Sequence, residues 1–212
     1  MAHPGPRHRG PGGAANRRNV TAWLTLGLIA LVAAGVFSLL LVLARTPVIQ
    51  GLIPFLDFFH IALVIHVTLS VLIWLLALSA AIWSLSTKND KPLWDRVSFS
   101  MAALGTAIII ICPFVGAGNP LMNNYVPILQ HPLFHSGLVL FIAGIISHLV
   151  RCLVSRPRLS GKLSATSALQ AGITLSTLLT GVAIVAVFVS WLGLPSKMDG
   201  RIYFEFLFWG GG

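Results

Sequence analysis

Five long apolar runs decide what this chain can fold into. They lie at Val20–Ala44, Phe55–Leu85, Val97–Val115, Pro132–Val154 and Ser167–Leu194. A helix needs roughly 18 to 20 apolar residues to cross the hydrocarbon core of a bilayer. Inside lipid every backbone polar group must be satisfied within the segment, so such runs fold as helices. The expected fold is all-α: a polytopic transmembrane helix bundle with five full spans plus the start of a sixth, which opens near Ile202. Only 9% of the residues are charged. Soluble domains carry about 25%, so an ordinary globular fold is excluded.

Residues 1–19 are rich in Gly, Pro and Arg and almost free of apolar side chains, which reads as a disordered basic cytoplasmic tail. Tail and first run together resemble a secretion signal, and Val42-Leu43-Ala44 resembles a weak cleavage site. The run is longer than the roughly 7–15 residues of a signal-peptide core, so it reads as an uncleaved first span.

Lys and Arg alternate along the chain. Tail and loops carry 4, 1, 3, 0, 4 and 2 of them in order, with Arg151 counted in the fourth loop. Five spans with a cytoplasmic N-terminus require that pattern. Reversing the topology would put eleven of the fourteen cations on the wrong side. The net charge of +9 is therefore read as orientation and affinity for the lipid bilayer, with no nucleic acid partner. Cys112 and Cys152 share no metal-binding spacing, which argues against a disulfide framework or zinc site.

No span holds Lys or Arg well inside it, so polar chemistry at depth falls to a few residues. The second span offers Asp57, His60 and His66. His66 lies about 16 Å along the helix from its start, near mid-bilayer. A neutral imidazole can bind iron through one nitrogen while the other donates to a partner. His66 is thus a candidate ligand, with a hydrogen bond to a neighbouring helix as its plain alternative. His60 is a weaker candidate. The two cannot serve one iron, being about 240° apart around the helix.

In the fourth span, Pro132 suits a first helical turn and makes His131 a cap-region residue. His135 follows four residues on. Interfacial hydrogen bonding or a cofactor-propionate contact fits these two better than a metal pair. His135 and His148 are thirteen apart, about 140° around the helix, and no second span repeats the spacing. This disfavours the two-haem architecture of quinol-oxidising b-type cytochromes.

In the fifth span Gln170, Thr174, Thr177 and Gly181 share a face, either as a polar stripe or, more simply, as helix packing. At the end of the sequence, Tyr203 to Trp209 form an interfacial aromatic belt followed by three glycines. That ending reads as part of a longer chain.

The stretch His66-Val67-Thr68-Leu69-Ser70-Val71-Leu72-Ile73-Trp74-Leu75-Leu76 resembles the second helix of haem–copper oxidase catalytic subunits. It is most similar to the nitric-oxide-reductase and cbb3-like branches. Leu207-Phe208-Trp209-Gly210-Gly211-Gly212 resembles the entry to that family's sixth helix, and Asn124 to Phe134 is similar to uncharacterised bacterial members. The resemblance implies that residues 20–212 are the first half of a cytochrome c oxidase subunit I-like domain, incomplete at the C-terminus.

It further implies that His66 is an axial ligand of a low-spin haem of b or a type, within a respiratory oxidase that reduces O2 or NO. The haem and copper of the active site would lie in the missing half, so this chain alone would lack the catalytic half of an oxidoreductase. Cytochrome c or quinol would be the electron donor, other oxidase subunits the partners, and the bacterial inner membrane the location. Two alternatives stay open: a non-catalytic haem-bearing anchor passing electrons from quinol, and a cofactor-free transporter or assembly protein.

Overall fold

A computed structural model describes residues 11–47, 58–87, 90–116, 118–122, 127–156, 164–194 and 202–203. Helix α1 covers Pro11–Ala44, α2 Phe58–Leu85, α3 Pro92–Val115, α4 Pro132–Val154 and α5 Ala165–Gly193. All five are long and apolar enough to cross a membrane. The molecule is an all-α bundle, and its class is that of a multi-pass membrane protein. The expected sixth span falls mostly on residues outside the described ones.

The helix ends show what local chemistry does in an apolar chain. Pro92 and Pro132 open α3 and α4, where a missing N–H costs nothing. At α5 the Ser164 hydroxyl accepts from the Ser167 N–H, while the Ser167 hydroxyl accepts from the Ser164 N–H. Helix α3 carries Pro113 within its last turn and stops at Gly116, whose φ of 135° favours glycine.

One expectation is corrected. Residues 11–19 are not a disordered tail, because α1 begins at Pro11 and Ala14 to Arg18 continue it. Those residues have adequate helix propensity, and α1 is anchored there by Asn19, whose Nδ2 donates to Ser84 and Asp95. After α3 the chain forms a short hairpin. Strands β1 (Asn119–Leu121) and β2 (Ile128–Gln130) pair antiparallel, with Pro120 opposite Leu129.

The core lies in two closely packed pairs. Helices α3 and α4 meet backbone to backbone: a Cβ added at Gly105 would sit 2.5 Å from the Gly137 carbonyl, and one at Gly144 would sit 2.7 Å from the Ser98 carbonyl. Small residues are what allow spans to approach so closely. Helices α1 and α2 pack through Gly27, where an added Cβ would meet the Trp74 ring at 3.1 Å. Helix α5 is peripheral. It touches α4 and the later part of α2, and it buries only Ile173 and Thr177. Its Thr174 and Thr177 hydroxyls bond the carbonyls of Gln170 and Ile173 in the same helix.

Candidate functional site

Helix α2 is not regular throughout. Phe58–Val67 is α-helical, Thr68–Ile73 is a π-helix, and Trp74–Leu85 returns to α. The Trp74 N–H bonds back five residues to the Leu69 carbonyl. Such a turn widens the helix and loosens its carbonyls, and two hydroxyls occupy carbonyls just before it. Thr68 donates to the Val64 carbonyl at 2.8 Å and Ser70 to the His66 carbonyl at 2.7 Å. Short π segments of this kind recur at functional positions.

His66 stands one residue before that segment and is half-buried. Its Nδ1 lies 2.8 Å from the Ala34 carbonyl of α1. A carbonyl can only accept, so Nδ1 must carry the proton. The neutral ring then keeps its lone pair on Nε2. This is how a metal-ligating histidine is usually held: one nitrogen fixed by a carbonyl, the other presented to the metal. The donor chemistry of His66 therefore fits an iron ligand, and the expected hydrogen bond between helices is present as well.

The other sequence candidates fall elsewhere. His60 is exposed, with its ring edge-on to Phe59 at 5.3 Å. Regular helix between them keeps His60 and His66 about 9 Å apart along the axis and on different sides. Asp57 and Glu205 lie outside the described residues, as does the Trp209–Gly212 ending. His131 caps α4, its Nδ1 accepting from the Leu133 N–H at 3.2 Å. His135 turns Nδ1 back to the His131 carbonyl at 3.0 Å. Among the described residues no three His, Cys, Asp or Glu side chains converge to hold a metal ion.

Sequence reading missed a second polar centre. Arg151 does not belong to the fourth loop. It lies in the last turn of α4, 2% exposed, and donates to Asp95 Oδ2 of α3 at 2.8 Å. Asp90 stands farther off, 3.8 Å from the same guanidinium. His148, one turn before Arg151, is fully buried. Its Nε2 lies 3.1 Å from both the Ala80 carbonyl and the Ser84 hydroxyl. Ser84 gives its own proton to Ala80, so both oxygens accept and Nε2 carries the hydrogen. His148 Nδ1 is then an acceptor with no hydrogen bond, 3.9 Å from Asp95 Oδ1.

Beside this pair, Trp94 and Ser98 of α3 both bond Ser147 of α4 at 2.8 Å. A signal existed in the sequence. Asp95, Ser98, Ala102 and Gly105 lie on one face of α3, and His148, Arg151 and Cys152 lie on one face of α4.

Two curated relatives align with most of the chain. An uncharacterized protein of Aquifex aeolicus (strain VF5) is 31% identical over 196 residues, which cover 90% of this chain and 47% of the relative. An uncharacterized protein of Rickettsia prowazekii (strain Madrid E) is 28% identical over 226 residues, covering 93% of this chain and 43% of the relative. The chain thus spans less than half the length of the relatives it matches. No family model matches it, and no solved structure does.

Proposed function

We propose that this chain is the haem-holding first half of a respiratory oxidase subunit of the haem–copper type, set in a bacterial inner membrane with its N-terminus in the cytoplasm. The observation that carries the reading is the clamp on His66, whose Nδ1–H is fixed 2.8 Å from the Ala34 carbonyl so that Nε2 is left to bind iron. The relatives' greater length agrees with it, since the reading requires further ligands on additional helices.

When bound, a low-spin haem of b or a type would supply one-electron transfer from cytochrome c or quinol towards an O2- or NO-reducing centre. The chain's own part is narrower. His66 would hold the group through Nε2, and the Ala34 carbonyl fixes its tautomer and raises its basicity. The π turn after His66 sets the angle at which the rest of α2 leaves the ligand. Apolar helices around the site exclude water and lower the local dielectric, which tunes a redox potential.

The test uses the full-length protein purified from membranes. Reduced-minus-oxidised spectra should show a low-spin b- or a-type signal in the parent and none in His66→Ala, with His60→Ala unchanged. A signal that survives His66→Ala overturns the ligand role. A pyridine haemochrome assay without haem would favour the cofactor-free transporter or assembly protein. Haem without a CO-reactive species would favour the quinol-side anchor.

A further inference from the structure

We infer that a cleft between the polar ends of α1 and α3 binds the phosphate and headgroup of an anionic, hydroxyl-bearing phospholipid of the phosphatidylglycerol type. The cleft encloses about 360 Å³ and is lined by Arg18, Asn19, Ala22, Pro92, Asp95, Arg96 and Phe99. Its parts are sorted by depth. Arg18 and Arg96 are exposed, one on each helix, and neither forms an ion pair among the described residues. Ala22, Pro92 and Phe99 supply an apolar wall, and Asn19 and Asp95 lie at the polar floor.

Two unneutralised guanidiniums facing one cavity suit a phosphodiester, which each can grip through paired N–H donors. The floor does not repel the anion as a free carboxylate would, because the charge of Asp95 is taken by Arg151 at 2.8 Å. Asn19 spends its Nδ2 on Ser84 and Asp95, so its Oδ1 remains an acceptor for a headgroup hydroxyl. Arg18 and Arg96 both stand at the polar end of their spans, the depth at which headgroups lie. Orientation alone requires cations on this side of the membrane. It does not require two of them to share a cavity with an apolar wall.

The test is native mass spectrometry of the full-length protein. It is equilibrated in mild detergent with phosphatidylglycerol or phosphatidylcholine of the same acyl chains. The parent should retain phosphatidylglycerol and release phosphatidylcholine. Arg18→Gln with Arg96→Gln should cut retention about tenfold or more, since each interfacial cation contributes roughly fivefold. Both side chains are exposed, so folding should survive, and an unchanged thermal midpoint checks it. Ala22→Leu keeps both charges but fills the cleft, and it should cut retention comparably.

Arg17→Gln removes a neighbouring cation that does not line the cleft, and it should change little. The proposal is overturned if the double variant or Ala22→Leu retains lipid like the parent. Equal loss in Arg17→Gln, or equal retention of phosphatidylcholine, would also overturn it. Inorganic phosphate giving its own adduct and displacing the lipid would identify a free-anion site and overturn the lipid assignment.

Discussion

Two histidines lie within the bundle, His66 of α2 against α1 and His148 of α4 against α1 and α2, and the two are held in opposite ways. His148 is enclosed on every side: Trp23 stacks obliquely on its ring at 4.8 Å, and Ala80, Ser84 and Cys152 surround Nε2. Its one uncommitted nitrogen faces a carboxylate that Arg151 already pairs. His66 is half-buried and, among the described residues, hydrogen-bonded through Nδ1. Depth in the membrane therefore does not measure availability for chemistry. The more buried imidazole belongs to a packing lock, and the less buried one is the imidazole to which the proposed function gives a cofactor.

The strongest way to break this contrast is to attack the lock. Arg151→Ala leaves the Asp95 carboxylate buried without its guanidinium, and removing one partner of a buried pair costs about 3–5 kcal/mol. Thermal unfolding in detergent should show a large drop in midpoint. Adding Asp95→Asn should recover part of it, because the uncompensated charge is then gone. If the single change is silent, the ion pair is not holding α3 against α4. The next largest effect is expected for Gly105→Ala. The new Cβ would press on the Gly137 carbonyl and the Phe141 amide at 2.5 Å, and backbone cannot swing aside as a side chain can. Overpacking of this kind costs about 3 kcal/mol.

What the sequence disclosed follows the same division. Hydropathy located all five spans, because a bilayer imposes its thickness on any helix that crosses it. The Pro132–Val154 boundaries agree with α4 residue for residue, since Pro132 starts the helix and His131 caps it. Charge counting, on which the expected orientation rests, mislaid Arg151. A cation next to a span looks the same in sequence whether it is solvated or turned inward to Asp95.

The close approach at Gly105 was equally silent, because a glycine in a span does not say which neighbour it admits. The sequence offered His66 a hydrogen bond to a neighbouring helix, but not its partner, since Ala34 contributes only a backbone carbonyl. The π turn had no sequence signature either. It lies where α2 packs against α1 and where the Thr68 and Ser70 hydroxyls take main-chain carbonyls.

The smallest expected effect sharpens the contrast most, because it separates stability from function at a single position. In protein prepared without haem, His66→Ala removes one hydrogen bond from a half-buried ring, a loss of about 1 kcal/mol. His148→Ala removes a fully buried ring together with its contacts to the Ala80 carbonyl and the Ser84 hydroxyl, and its cost is expected at about twice that or more. Thermal midpoints of the two haem-free variants should rank in that order. If His66 mattered only for packing, loss of haem in its variant would be accompanied by a stability loss as large as that of His148→Ala. A haem-free His66→Ala protein that unfolds almost like its parent, yet never takes up haem, would place the function of that imidazole in its open Nε2.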